Sequence, residues 1–382
     1  MLSQTPLIIV AGAKGAVGST VAAAVAALRQ DTGMVLPWLT TSQFFEHAGP
    51  LRDVEFAGWD SSERSLREAL EHHRVLPPEH YLAHGEYLDR VMIRQAPPHG
   101  LILREQVERL RSDITDFKGL YPGTHPVLVN LLPACREADL SECRSLGMLY
   151  AQADAALFPD LAYVLAAISE GVPVVNFTSN TVESPLVADE AVKTRVPLCG
   201  RDAKTGQTYL KVVLASALKA RGLQVDGWYS LNILGNEDGK NLMDPGRGAG
   251  KLANKTELLD EILGYKVGER YGVPTHKVVI DYYPPRGDCK EAWDVIDFAG
   301  LFGLPMSLRL NLQARDSVLA APMAIDLAWW MVCLHMAGRS GPVPELGFYF
   351  KKPVGVNPPV TFQDQLDELG RLSSFCLGKT NG

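Results

Sequence analysis

A glycine-rich loop near the start of this 382-residue chain limits its possible folds more than any other feature. The apolar segment Leu7–Ala11 leads into the loop, and the alanine-rich segment Ser19–Arg29 follows it with helical spacing. Glycine allows a tight turn and a close backbone approach, while the start of the helix offers free amides to a pyrophosphate. The pattern predicts the first strand, loop and helix of a dinucleotide-binding domain, with an ordinary glycine turn as the alternative. The candidate cofactor-binding residues of the loop are Gly12, Ala13, Lys14, Gly15, Ala16 and Val17.

Apolar runs and helical patterns alternate through the first half of the chain, which is typical of a parallel sheet covered by helices. The predicted strands are Leu7–Ala11, Met34–Leu39, Val127–Leu132, Val172–Phe177 and Val196–Gly200. The predicted helices are Ser19–Arg29, Ser62–Glu71, Leu103–Asp116, Gln152–Glu170 and Gly206–Ala220. The predicted fold class is therefore α/β, with a Rossmann-type doubly wound parallel sheet.

The pattern changes at about residue 222. The predicted strands become longer and helices become fewer, with Lys251–Leu263 as the main helix, and these strands are Val225–Leu234, His276–Tyr283 and Met306–Gln313. This indicates a second, more antiparallel sheet. Because helical patterns return after Asp316, we predict a Rossmann-like domain formed by residues 1–222 and 317–382, with an inserted α+β domain at residues 223–316.

Composition excludes several broad classes of function. The net charge of −7 argues against general binding to nucleic acid or to an anionic membrane. The six cysteines show no metal-ligand spacing, so reduced thiols are expected. The N-terminus lacks the basic segment of a signal peptide, and Pro322 and Asp326 interrupt the most apolar stretch, Val318–Ala337. We therefore expect a buried helix there, and a cytoplasmic protein.

A Rossmann domain usually holds the adenosine ribose with an acidic residue at the end of its second strand. The segment that follows the predicted second strand, Thr40-Thr41-Ser42, contains no acid, so either its hydroxyls bind the ribose or an acid comes from elsewhere, with Asp60 as the nearest candidate. Asn176 lies at the carboxyl end of another predicted strand, where open α/β sheets collect their ligands.

Four lysines stand in unusual local settings. Lys251 and Lys255 are one helical turn apart, Lys290 follows a proline-rich turn, and Lys351 follows three aromatic residues. Ammonium groups gathered in one pocket suit anionic substrates and developing oxyanions. The alternative for each lysine is an exposed side chain on a helix, on a turn or at the edge of the core.

Polar residues near two predicted helix starts are further candidates. Asp202 and Asp316 each precede a helical pattern, so N-capping and a functional role are equally open. Asn232 lies in a predicted strand, where a buried amide bonded to the backbone is the alternative. The predicted helix Gly206–Ala220 begins with small polar residues whose free amides suit a substrate phosphate. The candidate residues are Thr205, Gly206, Gln207 and Thr208.

Taken together, these segments resemble the myo-inositol-1-phosphate synthase family, most closely its shorter prokaryotic members. The match runs over most of the chain and is strongest from Val172 to Lys351. The blocks that carry it are Asn176–Thr178, Gly200–Thr208, Asn232–Gly239, Gly287–Lys290 and Arg315–Ser317, with weaker matches at Gly58–Asp60 and Asn130–Pro133. The cofactor-binding candidates that come from these blocks are Asn130, Leu131, Asn176, Asp202, Gly235 and Asp238.

The resemblance implies a tightly held NAD that is recycled without net redox change. Glucose 6-phosphate would be oxidised at C5, enolised toward C6, closed onto C1 by an intramolecular aldol step and reduced again to inositol phosphate. The inserted domain would cover the site and build a homotetramer. A metal requirement is left open.

The resemblance also implies roles for single residues. Lys251 would take the C5 hydroxyl proton, and Lys351 would assist enolisation. Lys255 and Lys290 would bind phosphate and stabilise charge on oxygen. The full implied catalytic set is Lys251, Lys255, Lys290, Lys351, Asp202, Asp316 and Asn232.

Two departures from the family pattern keep other functions open. Arg201 stands where the family usually has Asp or Asn, and Ala203 stands where it commonly has Gly or Leu. A related cyclase that closes fructose 6-phosphate to a five-membered ring would share every catalytic lysine. A plain NAD(P) dehydrogenase or an inactive scaffold would not need four lysines and two carboxylates, which counts against both.

Overall fold

The computed structural model describes residues 5–30, 53–98, 100–135, 140, 142–152, 159–243 and 258–380. The predicted strand Met34–Leu39 lies outside these residues, as does most of the predicted helix Lys251–Leu263, whose last part, residues 258–263, is helical. Lys251 and Lys255 therefore also lie outside the described residues.

The described part of the chain contains eleven strands and, besides the helical residues 258–263, eleven α-helices. The strands are β1 Pro6–Ala11, β2 Glu55–Asp60, β3 Ile93–Gln95, β4 His125–Asn130, β5 Val174–Asn176, β6 Pro197–Gly200, β7 Gln224–Leu234, β8 His276–Tyr282, β9 Cys289–Ala299, β10 Pro305–Arg315 and β11 Gly341–Pro342. The helices are α1 Ala16–Arg29, α2 Leu66–His73, α3 Gly85–Arg90, α4 Leu103–Leu120, α5 Leu146–Tyr150, α6 Asp160–Ser169, α7 Pro185–Lys193, α8 Gln207–Ala220, α9 Glu237–Leu242, α10 Asp316–Met336 and α11 Phe362–Thr380.

Seven strands form one parallel sheet in the order β3-β2-β1-β4-β5-β6-β11. Strand β1 lies inside the sheet, between β2 and β4, and is buried on both faces: Ile8 and Val10 join one hydrophobic cluster, and Leu7 and Ile9 join the other. Helices α1 and α10 pack in the first cluster, and α4 and α6 pack in the second. This is the doubly wound Rossmann-type fold predicted from the sequence, so the fold prediction is confirmed.

The chain order reverses at β1, because β2 lies on one side of it and β4 on the other. Ligands of open parallel sheets bind outside the carboxyl ends of the strands at such a reversal. Here those ends carry Ala11, Asp60 and Asn130. The topology thus fixes where a bound molecule must be sought.

The second sheet has the order β10-β9-β7-β8. Strand β9 pairs antiparallel with β7 and β10, whereas β7 and β8 are parallel, so the sheet is mixed. Helix α8 packs on it through Val212 and Ala215, which contact Trp228 and Ile296 within one hydrophobic cluster. The helix therefore joins the two sheets, since it follows β6 in the first and leads to β7 in the second.

Helix α10 is the long apolar element that the sequence predicts to be buried. It is long and apolar enough to cross a membrane, but 78% of its most apolar 18-residue window is buried inside the protein. Trp329 and Trp330 are among the largest fully buried side chains. The helix is thus a core helix of this fold, as predicted.

Candidate active site

A cavity of about 560 Å³ opens at the carboxyl edge of the parallel sheet, between it and the second sheet. The glycine loop and the segment after β4 line one part of it. The Asp202 turn, the start of α8 and the start of α10 line another, and the second sheet contributes Asn232 and Lys290. Most of the predicted loop residues, the phosphate turn and the described catalytic set thus meet around one cavity, whereas Ala13 and Lys14 of the loop do not line it.

The glycine loop needs its glycines for steric reasons. Gly12 has a φ of +86°, and a Cβ there would lie 3.2 Å from the Leu131 carbonyl oxygen. A Cβ on Gly18 would lie only 2.4 Å from the Gly12 carbonyl oxygen. No side chain caps the start of α1, so its first amides face the cavity side of the loop. The loop can therefore approach a pyrophosphate closely with its backbone.

Asp60 is the last residue of β2, the strand that pairs directly with β1. One of its carboxylate oxygens accepts a hydrogen bond from the Lys14 amide at 2.7 Å, and the other accepts from the Ser62 amide at 2.8 Å. The strand adjacent to β1 on this side is therefore Glu55–Asp60. It ends in the acid that the sequence analysis sought after Met34–Leu39.

Asp60 is not among the residues that line the cavity, whereas His73, which was not found from the sequence, does line it. Its Nε2 lies 3.0 Å from the Lys14 carbonyl oxygen, so this nitrogen carries the proton. Burial lowers the pKa of His73. A lone histidine near the end of a helix gives no sequence signal that separates it from a surface residue.

Asn130 and Asn176 lie beneath the cavity rather than in its wall. Both are fully buried, and the Asn130 amide donates to Asn176 Oδ1 at 3.1 Å and to Asp160 Oδ1 at 2.6 Å. Burial raises the pKa of Asp160. Leu131 and Phe177, the next residues along the chain, line the cavity instead. The structure thus places these two predicted cofactor-binding side chains in a supporting layer.

Asp202 and Lys351 form one ion pair in the cavity wall. Lys351 Nζ lies 2.5 Å from Asp202 Oδ1, and the Lys351 amide donates to the Asp202 carbonyl at 2.8 Å. Asp202 adopts a left-handed φ of +58°, which aspartate tolerates better than most residues. The Asp202 side chain therefore holds a lysine, and no side chain caps the later helix α8.

Asp316 and Lys290 form a second ion pair across the cavity. Lys290 Nζ donates to Asp316 Oδ2 at 3.2 Å, and the Thr205 hydroxyl donates to Oδ1 at 3.0 Å. Burial favours the neutral acid, but the charge of Lys290 and these hydrogen bonds hold the pKa of Asp316 below its usual value. Asp316 is thus a carboxylate that binds Lys290 and Thr205.

The start of α8 offers a site for an anion. Thr205, Gly206, Gln207 and Thr208 all line the cavity, and the helix has no side-chain cap at Gly206. The side-chain nitrogen of Gln207, Nε2, already donates to Asp294 Oδ2 at 2.8 Å. Gln207 can therefore offer a ligand its backbone amide and its side-chain oxygen. Free amides at the start of a 14-residue helix, close to Lys290, suit a phosphate.

Asn232 and Asp288 have unpartnered polar atoms in the cavity wall. Neither amide atom of Asn232, which is 1% exposed, has a hydrogen-bond partner among the described residues. One Asp288 oxygen accepts from Asn236 and Ser317, each at 3.2 Å, while the other has no partner in the same part of the chain. Burial raises the pKa of Asp288. Since buried polar atoms normally find partners, both residues are candidates for binding a polar molecule.

Two further predicted residues are Gly235 and Asp238, and Gly235 does not line the cavity. Gly235 allows the end of β7 to pass the turn before β9, because a Cβ there would lie 2.4 Å from the Gly287 amide nitrogen. Asp238 lies in α9. Asp288 and Ser317 were not predicted as site residues, although their motifs, Gly287–Lys290 and Arg315–Ser317, carried the signal. No group of three metal-ligating side chains occurs among the described residues.

The sequence model of the myo-inositol-1-phosphate synthase family matches residues 206–317. Inositol-3-phosphate synthase 1 of Bacteroides thetaiotaomicron is 37% identical over 325 residues, which cover 80% of this chain and 76% of that protein. The chain belongs to this family. The inositol-3-phosphate synthase of Dictyostelium discoideum is 29% identical over 316 residues, which cover 72% of this chain but 58% of that longer protein.

A solved structure supports the same fold for the whole chain. The inositol-3-phosphate synthase of Caenorhabditis elegans superposes with a TM-score of 0.84 over 98% of this chain and 86% of that one, at 21% identity. The predicted membership of the myo-inositol-1-phosphate synthase family is thus confirmed, and the protein is an enzyme of the inositol-3-phosphate synthase type.

One lysine of this synthase-family chain is buried behind the Asp202–Lys351 pair. Lys204 Nζ donates to the Gly347 carbonyl at 2.8 Å and to Gln365 Oε1 at 2.9 Å. Burial, together with the charge of Lys351, lowers the pKa of Lys204 from 10.5 to about 7. Lys204 ties the segment that carries Lys351 to the turn that carries Asp202.

Lys204 should make stability depend on pH. Between about pH 7 and pH 10.5 the unfolded chain holds a proton that the folded chain lacks, so the free energy of unfolding rises with pH. Lys204→Met removes this rise. Urea unfolding at pH 7.5 and pH 9.5 should show the parent gaining up to about 2 kcal/mol relative to the variant. Lys193→Met, at an exposed lysine, is the control. Equal changes with pH in the parent and in Lys204→Met would contradict the burial argument.

Proposed function

We propose that the enzyme cyclises a hexose 6-phosphate without net redox change, converting glucose 6-phosphate to 1D-myo-inositol 3-phosphate with NAD as a recycled cofactor. The observation that carries the proposal is the shared cavity. A glycine loop, a helix start suited to phosphate and two lysine–aspartate pairs line it together. Family membership supports the same reaction. A sugar phosphate and NAD are cytoplasmic metabolites, which supports a cytoplasmic location.

The residues present fit a dinucleotide. The loop from Gly12 to Val17 has the close backbone approach and the free helix amides that a pyrophosphate needs. Asp60 lies at the strand end where a carboxylate can accept hydrogen bonds from the ribose hydroxyls. When bound, NAD supplies a hydride acceptor and returns the hydride later. A carboxylate at Asp60 favours NAD over NADP, because a 2′-phosphate would meet like charge.

The phosphate of the sugar belongs at the start of α8. Its free amides and Lys290 supply hydrogen bonds and positive charge. Asp316 keeps Lys290 in place through the 3.2 Å ion pair, and Thr205 fixes Asp316 in turn. The bound sugar then extends from this end of the cavity toward Lys351 and Asn232.

Lys351 and Asn232 act on the sugar oxygens. Lys351, held by Asp202, donates a hydrogen bond to the ketone oxygen at C5 and stabilises the oxyanion that forms during enolisation. Asn232 can donate to one sugar hydroxyl and accept from another, because neither end of its amide is bound by a residue that the structure describes. Lys251 and Lys255 lie outside the described residues, and their roles as proton acceptor and phosphate ligand stay predictions from the sequence.

Arg201, which had raised the possibility of a ketohexose substrate, does not line the cavity. Its guanidinium is bound to Glu183 at 2.7 Å. The departure from the family pattern at this position therefore adds no charge beside the phosphate turn, which supports glucose 6-phosphate over fructose 6-phosphate. A plain dehydrogenase would need one proton-relay group, whereas two lysine–aspartate pairs face this cavity.

Substrate assays test the proposal directly. Incubation with glucose 6-phosphate should give a six-membered carbocycle, identified by mass and NMR, with NAD needed only in catalytic amounts. A five-membered carbocycle formed only from fructose 6-phosphate would overturn the substrate assignment. Accumulation of one NADH per turnover would establish a dehydrogenase instead.

Substitution of the paired lysines tests their roles. Lys351→Ala and Lys290→Ala should each lower kcat/KM by about 10²–10³, because each removes a fixed positive charge from a site where oxyanions form. Bound NAD should change little, whereas thermal stability should fall because Asp202 or Asp316 loses its charged partner, so the assays are run at a temperature where the variants are folded. Lys193→Ala, at a lysine that is 71% exposed on α7, is the matched control and should retain full activity. If the kcat/KM of a variant stays within about tenfold of that of the parent, the substituted lysine has only a structural role.

We also propose a homotetramer that covers the outer face of the second sheet. Tyr229, Val279 and Trp293 are each 39–45% exposed there. Leu231 pairs with both Val279 and Trp293, so the apolar residues form one patch across three strands. Contiguous exposed apolar surface of this kind marks an interface.

Sedimentation should show a tetramer for the parent and smaller, folded species for Trp293→Lys, because the substitution places a charge in the apolar patch. A monomeric parent would exclude this role for the sheet.

A further inference from the structure

The turn at residues 201–204 is held from two sides by backbone hydrogen bonds. On one side the amides of Asp202 and Ala203 donate to the carbonyls of Thr178 and Phe177. On the other side the Arg201 amide donates to the Lys352 carbonyl at 2.8 Å. Between them stands Asp202, in a left-handed conformation that an extended chain would not adopt unaided. The direction of the Asp202 carboxylate therefore depends on the hydrogen bonds that fix the residues on either side of it.

The side chain of Arg201 also anchors this turn, through an ion pair with Glu183. Its Nη1 lies 2.7 Å from Glu183 Oε1, and the Glu183 side chain is only 3% exposed. The second Glu183 oxygen accepts from the Asn176 amide at 2.9 Å. A carboxylate this deeply buried needs a partner of opposite charge, and Arg201 supplies it. The ion pair thus fixes the guanidinium, and with it the residue directly before Asp202.

The same contacts continue toward the cofactor side of the cavity. Asn176 Oδ1 accepts from Asn130, and Asn130 donates to Asp160, which also binds the Asn180 amide at 3.0 Å. Asn180 Oδ1 accepts from the Cys135 amide at 2.9 Å. A continuous chain of hydrogen bonds therefore runs from the Asp202 turn to residues 131–135, the first four of which line the cavity.

We propose that Arg201 is a positioning residue that acts through Glu183: their ion pair holds the turn so that Asp202 stays on Lys351, and joins this pair to the buried amides beneath the cofactor side of the cavity. Arg201 touches neither substrate nor cofactor. The inference rests on the proposed function only for its kinetic test, because the Asp202–Lys351 contact can be followed without turnover.

The direct readout is the rate at which cyanate carbamylates Lys351, measured by mass spectrometry at several pH values. Only the neutral amine reacts, so loss of the Asp202 contact should speed labelling. In Arg201→Gln the rate for Lys351 should rise about threefold to tenfold relative to the parent, because the ammonium group is no longer stabilised by the contact with Asp202. Lys290, which is held by Asp316, should label at an unchanged rate in the same sample and serves as the internal reference.

Four variants separate positioning from a general loss of folding. Arg201→Lys keeps the positive charge and should restore most of the parent behaviour, whereas Glu183→Gln should reproduce Arg201→Gln. The double variant with both Gln substitutions should be no worse than either single one, because the two side chains act as one unit. Arg371→Gln, which breaks an exposed ion pair on α11, is the matched control and should change nothing.

Kinetics supply the second test. Arg201→Gln should lower kcat for cyclisation about tenfold and shift its pH profile, with KM and bound NAD within about twofold, since one positioning contact on a proton-transfer group is lost. If Lys351 labelling and kcat in Arg201→Gln both stay within twofold of the parent, the inference is wrong. If the parent cyclises no hexose phosphate, the proposed function fails, while the ratio of Lys351 to Lys290 labelling still decides the role of Arg201.

Discussion

Backbone pairing between residues 201–204 and residues 349–352 is the constraint on which the rest of the site depends. The Arg201 and Lys352 backbones exchange hydrogen bonds, the Lys351 amide donates to the Asp202 carbonyl, and the Lys204 amide donates to the Tyr349 carbonyl. These contacts join segments that are 149 residues apart at Asp202 and Lys351. Between the two segments the chain builds the whole second sheet and helix α10. The sheet can therefore close over the cavity only in the place that this pairing allows.

The two ion pairs of the cavity share one electrostatic design. Each lysine faces a carboxylate from a different element, so its ammonium group is fixed in position before a substrate arrives. Fixed charges stabilise a developing oxyanion more than mobile ones, because no reorganisation is needed during the reaction. Lys204, buried directly behind, adds a hydrogen-bonded anchor without adding a full charge at neutral pH, since its pKa lies near 7. The local positive charge is thus concentrated where it faces the cavity.

The sequence predicts the parallel sheet well because its strands are fully buried and read as continuous apolar runs. Strand β2 was missed because it begins with Glu55, ends with Asp60 and contains a glycine between them. Strand β9 was missed because charged residues such as Glu291 and Asp294 lie inside it, and both are buried in hydrogen bonds that only the fold reveals. Among the site residues, motif spacing found Lys290 and Lys351. Asp202 and Asp316 were also candidates, but the sequence could not predict which lysine each one binds, since the Asp202–Lys351 and Lys290–Asp316 pairs are made by tertiary contacts.

The supporting layer beneath the cavity explains why polar residues at strand ends can mislead. Asn130 and Asn176 stand where ligands collect, but their amides bind each other and the buried carboxylates of Asp160 and Glu183. Asn232, on the facing sheet, has the opposite arrangement, because its amide is buried and unbound by any described residue. A polar side chain that is satisfied by its neighbours supports the wall, whereas one left unsatisfied in the wall needs a ligand. That difference appears only in the folded structure, because the sequence offered Asn130, Asn176 and Asn232 alike as candidate site residues.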